Sequence, residues 1–327
     1  MLLTNSIPLR PDKRAMEKLT VIVPCFNEEA SLSESYLRTK KVLDSIKDFR
    51  TEIMYVNDGS QDKTREILNT FAATDPMVKV LHFSRNFGHQ SAVSAGIKYC
   101  DSDWAIIMDA DLQDPPELIP EIMDLCKREN ANCVYCVRKS REKEGWFKQQ
   151  TARLFYRTMN KMSEVEFPVD TGDFRLIDRK IIDEFNNLPE HGKYIRGLVS
   201  WIGFKQIPFY YERKARIAGQ TKYPLKKMIG FASTALLYFS KKPLQIVIGL
   251  GFLAVLVGVF LAIWVLFGKF LGFSNAETGW TSIITIVVFF GGVQLLTIGV
   301  LGQYIGVLFD EIKNRPEYIV DEMKNFN

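Results

Sequence analysis

Asp109-Ala110-Asp111 sets two carboxylates two residues apart, where the apolar run Trp104-Ala105-Ile106-Ile107-Met108 stops. Carboxylate oxygens are hard ligands of the kind Mg2+ and Mn2+ take, and such ions often share their coordination with a diphosphate. Gln113 is placed to add an oxygen to the same cluster. Pro115-Pro116 then open a helix, where proline is tolerated. A second chemically pointed group is basic. Arg153, Arg157 and Lys161 recur every fourth residue between Trp146 and Met162, so a helix gathers them into one stripe, set against Phe147, Leu154, Phe155 and Met159. Such a helix suits the headgroup layer of a membrane or the surface of a soluble core. Cys133-x-x-Cys136 has a redox or zinc spacing, but it lies inside the apolar run Asn132 to Val137, and the histidines are only His82, His89 and His191. With Cys25, Cys100 and Cys126, these read as reduced structural thiols in a cytosolic setting.

Five short β-rich runs must position these groups: Leu19 to Val23, Glu52 to Val56, Val78 to Phe83, Trp104 to Met108 and Asn132 to Val137. Stretches of helical composition separate them, at 32–46, 62–73, 90–99 and 117–128. The alternation predicts an α/β domain with a mostly parallel sheet covered on both faces. Ligands of such sheets bind beyond the carboxyl ends of the strands. A polar cluster follows every run: Pro24-Cys25-Phe26-Asn27-Glu28-Glu29, Asn57-Asp58-Gly59-Ser60, Ser84-Arg85-Asn86-Phe87-Gly88-His89, Asp109 to Pro115, and Arg138. One such cluster is ordinary turn chemistry; five on one edge predict a site. No G-x-G-x-x-G follows the first run and no G-K-[S/T] loop occurs, so dinucleotide and ATP-hydrolysing readings lose their support.

Of the 327 residues, 47% are hydrophobic and 24% charged, which excludes disordered and disulfide-stapled classes. A net charge of +4 gives no basis for a nucleic-acid partner. The apolar residues are unevenly placed. Residues 244–267 carry no charge, and ~24 helical residues at ~1.5 Å each reach about 36 Å, enough to cross a bilayer. Residues 279–309 form a second uncharged run. Lys226, Lys227, Lys241 and Lys242 precede the pair and Lys313 and Arg315 follow it, which places both ends in the cytoplasm. The expected layout is an extension at 1–18 without signal-peptide character, a catalytic domain at 19–224 and an interfacial helix at 225–242. Two transmembrane helices at 243–310 and a cytosolic tail at 311–327 complete a multi-pass inner-membrane protein.

Val21-Ile22-Val23-Pro24-x-Phe26-Asn27-Glu28, Asn57-Asp58-Gly59-Ser60, Ser84-Arg85-Asn86-Phe87-Gly88, Asp109 to Pro115 and Ala218-Gly219-Gln220-Thr221-Lys222-Tyr223 together resemble the inverting family 2 glycosyltransferases. They are most similar to the bacterial polyprenyl-phosphate glycosyltransferases related to dolichol-phosphate mannose synthase, and the apolar hairpin extends the likeness over nearly the whole chain. The resemblance implies a GT-A fold. It implies that Pro24, Phe26, Asn27, Glu28 and Asp58 hold the base and ribose of a sugar nucleotide, with Ala110 and Lys222 also on the donor side. Asp109, Asp111 and Gln113 would surround Mg2+ or Mn2+ and the diphosphate. Asn57 departs from the pattern, since many relatives carry a second aspartate there.

The implied reaction moves a hexose, glucose from UDP by resemblance, to polyprenyl phosphate in the membrane. A phosphate monoester has its second pKa near ~6, so a strong base is not obligatory. Positive charge is needed to hold the acceptor, and Arg138, Arg153 and Arg157 supply it. Asp173, in Thr171-Gly172-Asp173-Phe174-Arg175, takes an orienting or base role beside Asp111 as the catalytic pair. Relatives of this type also imply a homotetramer. Two other readings compete. A processive polysaccharide synthase usually carries Q-x-x-R-W and many spans, and this chain has neither. A non-catalytic sugar-nucleotide sensor is disfavoured by the full metal cluster, the arginine stripe and Lys222.

Overall fold

The segment Lys18–Cys25 (β1) is apolar at successive positions, and Leu19, Val21, Ile22 and Val23 are all fully buried. A strand with two apolar faces belongs inside a sheet covered on both sides. That is its place in the computed structural model, which describes residues 16–138, 171–190, 193–212, 242–270 and 279–326. Beside it, β2 (Arg50–Asn57), β3 (Val78–Phe83) and β4 (Trp104–Ile107) run parallel, joined through α1 (Leu32–Ser45), α2 (Thr64–Thr74) and α3 (His89–Lys98). A 3-10 turn at Pro116–Leu118 leads into α4 (Ile119–Glu129), and β5 (Cys133–Arg138) follows. All five expected strands and four expected helices are present, within a few residues of their expected bounds.

Strand alternation divides the core. Leu19, Val21, Val23 and Cys25 pack with Leu32, Leu43, Ile119 and Ile122 on one face of the sheet. Met54, Val56, Leu81 and Phe83 face Ala92 and Ala95 of α3 on the other. On that second face Gly96 meets β1 so closely that a Cβ there would lie 2.3 Å from Ile22 Cγ2.

The complete sheet is mixed, in the order β7-β5-β6-β4-β1-β2-β3-β8. Strand β6 (Thr171–Asp178) lies antiparallel between β4 and β5. After it come α5 (Arg179–Asn187), α6 (Ile195–Ile202) and β7 (Gln206–Tyr211), which pairs parallel with β5. Parallel pairing thus holds at four junctions and antiparallel pairing at three. Phe174 and Leu176 of β6 alternate with Asp173 and Arg175, yet both sets are buried. Asp173 is inside because it is paired with Arg196 and His89, and Arg175 Nη2 donates to Gly172 O at 3.2 Å.

The expected tail at 311–327 ends instead in the sheet. Strand β8 (Val320–Lys324) lies antiparallel along β3, with the Ser84 N–H donating to Ile319 O at 3.0 Å. Arg65 forks to Asp321 (2.8 Å) and Glu322 (3.0 Å), Tyr318 stacks on Phe83, and Asn325 Nδ2 donates to Ala72 O and Val78 O at 2.8 Å each. The apolar helices α7 (Lys242–Phe270) and α8 (Gly279–Ile312) belong to a second compact unit. Among the described residues, one helical segment, Phe289–Ile312, is long and apolar enough to cross a membrane by length and composition; Leu244–Phe260 is a shorter apolar helix. Of the two-helix hairpin expected from the sequence, the described residues show one such candidate span. Both helices expose large apolar side chains, among them Phe252, Phe260, Leu295 and Leu308, as a lipid-facing or partner-facing surface does.

Replacing Gly96 with alanine is expected to destabilise the protein by about 1–3 kcal/mol, because the clash with buried Ile22 outweighs the ~1 kcal/mol that alanine gains in a helix. Urea unfolding of the purified variant in detergent checks this; equal or greater stability would mean that α3 is not seated on β1 at this depth.

Candidate active site

The carboxyl ends of β1 and β2 are knitted together through backbone donors. Pro24 is buried in β1 opposite Val56, and the Asp58 N–H donates to Cys25 O at 2.9 Å. Past partly buried Phe26, Asn27 takes a left-handed conformation (φ 54°), at which its N–H donates to Ser60 Oγ (3.0 Å) and its Oδ1 accepts from the Gln61 N–H (2.8 Å). The Glu28 N–H donates to Thr64 Oγ1 at 2.9 Å, and Ser31 Oγ to Glu28 Oε2 at 2.9 Å. Asn27 and Glu28, expected as donor-site residues, thus also shape the loop that carries Asp58.

Asp58 is only 2% exposed. Its Oδ1 accepts from the Phe87 N–H (2.6 Å), and its Oδ2 from the Gly88 N–H (3.0 Å) and Asn86 Nδ2 (2.9 Å). Burial raises its pKa and these backbone bonds oppose the rise. The residue expected to hold base and ribose therefore spends both oxygens on the loop after β3. Gly59 makes that closeness possible: its φ is 63°, and a Cβ would lie 2.3 Å from the Arg85 carbonyl carbon.

Asn57, expected as a departure from the pattern of the resemblance, is engaged at both ends of its amide. Its Oδ1 accepts from the Ser60 N–H at 3.1 Å, which turns Nδ2 toward His82 Nδ1 at 3.0 Å. His82 Nε2 faces Asn69 Oδ1 at 3.1 Å, so this fully buried ring is neutral with its proton on Nε2. Burial, with Arg65 nearby, pushes its pKa down to about 4. An aspartate at position 57 would instead need a proton on His82 Nδ1.

Beyond β4, Asp109 and Asp111 are both partly buried, with Ala110 sealed between them at 2% exposure. Leu112 holds a left-handed conformation (φ 59°) while buried, and this brings the Gln113 N–H to Asp111 Oδ1 at 3.1 Å. Such a conformation is costly for leucine and is kept by its surroundings. Asp114 is buried beside Tyr211, whose hydroxyl donates to Asp114 Oδ1. Arg138 sits by the same pair, and its Nη2 lies 2.8 Å from where a Cβ on Gly172 would be. Arg138, expected at the acceptor, is thus packed into the space that glycine leaves in β6.

Asp173 is 6% exposed and doubly held: Arg196 Nε donates to Oδ1 at 2.8 Å and Nη2 to Oδ2 at 3.2 Å, while His89 Nε2 lies 3.0 Å from Oδ2. Despite its burial, Arg196 and His89 hold its carboxyl well below the ordinary range. A carboxylate so paired is a weak base. His89 also stands 3.8 Å from Asp109 Oδ1. Against the effect of burial, the hydrogen bond to Asp173 and the charges of Asp109 and Asp173 raise its pKa to about 9. His89, Arg196 and Tyr211 were not expected as site residues. His89 was visible as the last member of a strand-end cluster; Arg196 and Tyr211 sit in ordinary apolar helix and strand patterns. Lys222, Arg153 and Arg157 lie outside the described residues.

The model of Glycosyl transferase family 2 matches residues 20–185, which hold every strand-end cluster described above. The chain is 46% identical over 303 residues to an uncharacterized glycosyltransferase, YkcC, of Bacillus subtilis (strain 168), covering 93% of both. The chain belongs to glycosyltransferase family 2. A prophage bactoprenol glucosyl transferase homolog of Escherichia coli (strain K12) is 36% identical over 94% of this chain and 99% of its own. Among solved structures, the mannosyltransferase PcManGT from Pyrobaculum calidifontis in complex with GDP-Man and Mn2+ aligns with 90% of this chain and 91% of that one. Its TM-score is 0.45 and its identity 16%, too distant a likeness to bear on function.

For a family 2 glycosyltransferase the question is whether Asp109 and Asp111 suit a divalent cation. Among the described residues no group of three or more His, Cys, Asp or Glu side chains closes around an ion. Mg2+ is commonly bound by one or two carboxylates plus substrate phosphates and water, and not by an all-protein cage. The donor set fits that mode. Partial burial first, then the neighbouring charges of Asp114, Asp173 and Asp111, push the Asp109 pKa up to about 6, against the pull of His89. Negative charge is in excess there, as a cation site requires.

His82 yields a pH prediction. Above about pH 6.5 the ring is neutral both folded and unfolded and contributes no pH dependence. As pH falls from about 6.5 toward 4, the unfolded chain gains a proton that folded His82 refuses, so stability is lost across that window. Thermal melts in detergent from pH 7.5 to 4.5 should show a shallower acid loss for His82→Gln than for the wild type; identical slopes would mean His82 is charged in the fold.

Proposed function

We propose that this family 2 glycosyltransferase moves glucose from UDP-glucose to polyprenyl phosphate at the cytosolic membrane face, with inversion at the sugar carbon. The observation that carries this reading is the Asp109-x-Asp111 pair at the end of β4, with Asp109 standing 3.8 Å from the His89 that bonds Asp173. Two further facts support the acceptor. Relatives named bactoprenol glucosyl transferase, from Shigella flexneri prophage SfII among others, are 36% identical over 95% of this chain. The chain also carries the apolar helix Phe289–Ile312. In this reading α7 and α8 form the two-span hairpin, with the catalytic unit and both termini cytoplasmic.

The donor lies along the strand ends, with Pro24, Phe26, Asn27, Glu28 and the Asp58 loop toward the nucleoside, and Ala110, Gln113 and Lys222 toward the diphosphate. Asp109, Asp111 and Gln113 would hold the Mg2+ or Mn2+, which supplies charge neutralisation for the departing diphosphate. A phosphate oxygen of the acceptor forms the new bond to the anomeric carbon as the bond to the diphosphate oxygen breaks on the opposite face. The acceptor is already mostly deprotonated at neutral pH, so no side chain has to take its proton. The chain's task is to hold two anionic substrates in line and keep water out. Arg138, Arg153 and Arg157 contribute acceptor charge.

Purified protein in detergent, given polyprenyl phosphate and a panel of labelled sugar nucleotides, should convert UDP-glucose to a solvent-extractable labelled lipid. Label reaching no lipid from any donor would end the proposal. Label from GDP-mannose alone would replace the donor and leave the acceptor intact. EDTA should silence the wild type and excess Mg2+ or Mn2+ restore it. Asp111→Asn should lower kcat by at least about a hundredfold, with the circular dichroism spectrum unchanged. Full turnover in EDTA would remove the cation from this site.

A further inference from the structure

Asp173 and Arg196 differ in one telling respect: the aspartate side chain is 6% exposed and the arginine side chain 26%. Of this ion pair, the arginine is the more accessible member. Arg196 stands at the first turn of α6, and its Nε and Nη2 both bond to Asp173. On the other side of that carboxylate stands His89, which in turn stands by Asp109. The chain Asp109–His89–Asp173–Arg196 thus runs from the donor carboxylates to a partly exposed arginine, through steps of 3.8, 3.0 and 2.8 Å.

We propose that Arg196 is a contact for the acceptor phosphate, and that Asp173 is a positioning residue that holds it there, with His89 bracing Asp173 from the donor side. This rests on the polyprenyl-phosphate reading above and goes beyond it, because Asp173 then acts through the arginine and not as a base. Three features favour the assignment. A guanidinium is suited to a phosphate monoester, matching two of its oxygens at once. Fixing two of its nitrogens on a buried carboxylate removes most of the rotamer freedom a free arginine would lose on binding. And Arg138, the other described acceptor candidate, is near enough for its charge and that of Arg196 to repel. An anion bound between them would offset that repulsion.

The test compares Arg196→Gln, Arg196→Lys, Asp173→Asn and the Arg196→Gln/Asp173→Asn double variant with wild type. Acceptor kinetics use a short-chain polyprenyl phosphate in detergent, and calorimetry measures UDP affinity on the same preparations. Arg196→Gln should raise the acceptor KM about ten- to a hundredfold, with UDP affinity within about twofold of wild type. Arg196→Lys should fall between, keeping the charge and losing the fork. Asp173→Asn should raise the acceptor KM by less, with kcat at saturating acceptor held within about threefold. The double variant should lose no more than Arg196→Gln alone, because Asp173 acts through the arginine. An unchanged acceptor KM in Arg196→Gln overturns the proposal, and so does an Asp173→Asn variant that binds UDP normally yet loses kcat a hundredfold at unchanged acceptor KM. Should Asp173→Asn fail to fold, the two Arg196 variants decide alone, their UDP affinity reporting the fold. A wild type inactive on every polyprenyl phosphate sinks both readings; failure of the Arg196 assignment alone leaves the wild type active.

Discussion

Four carboxylates crowd the carboxyl edge of this sheet, Asp109, Asp111, Asp114 and Asp173, and the structure around them is organised by the need to compensate their charge. Asp114 and Asp173 are almost fully buried, where an uncompensated charge would be prohibitive. Tyr211 and Arg138 attend the first; Arg196 and His89 attend the second. Burial, with the charges of the neighbouring carboxylates, leaves Asp109 with a pKa pushed up to about 6. Buried ion pairs contribute little net stability, but they fix where each group stands. In this protein they hold Asp114 and Asp173 in place at the edge that also carries Asp109 and Asp111.

The antiparallel strand β6 is what brings the two halves of the cluster together. Inserted between β4 and β5, it carries Asp173 to the edge where Asp109 emerges, and its Gly172 leaves the space that Arg138 fills. The parallel strands alone would leave β4 and β5 as neighbours, without Asp173 between them. On the far edge, β8 performs a different service. It covers β3, which would otherwise present a bare row of backbone donors and acceptors, and bonds to Ser84 where the Asp58-binding loop begins. The residues that follow α8 are thereby joined to the loop that closes on Asp58.

Much of this was legible in the residues themselves. The β1 to β5 runs are short, apolar and rich in β-branched residues, and the helices between them have ordinary lengths, so alternation alone located all nine elements. The strand-end clusters were equally plain, because polar residues following a doubly buried strand have few other reasons to be there. Asn57 was noticed as a departure, but its meaning waited on His82, which lies 25 residues away and becomes a partner only because β2 and β3 pair in register.

By itself the sequence determined the α/β class, the edge on which the polar clusters gather, the place of the Asp109-x-Asp111 pair at the end of β4 and the family, since all of these rest on local pattern or on short motifs. Only the tertiary structure decided that β6 and β8 join the sheet, that Asp58 is spent on backbone donors, and that Asp173 is locked between His89 and Arg196. The physical reason is common to all three. A charged residue reads as exposed until its partner is known, and each partner here comes from a distant part of the chain: Phe87 and Gly88 for Asp58, Arg65 for Asp321 and Glu322, His89 and Arg196 for Asp173. Burial of charge is a property of pairs, and pairs are made by folding.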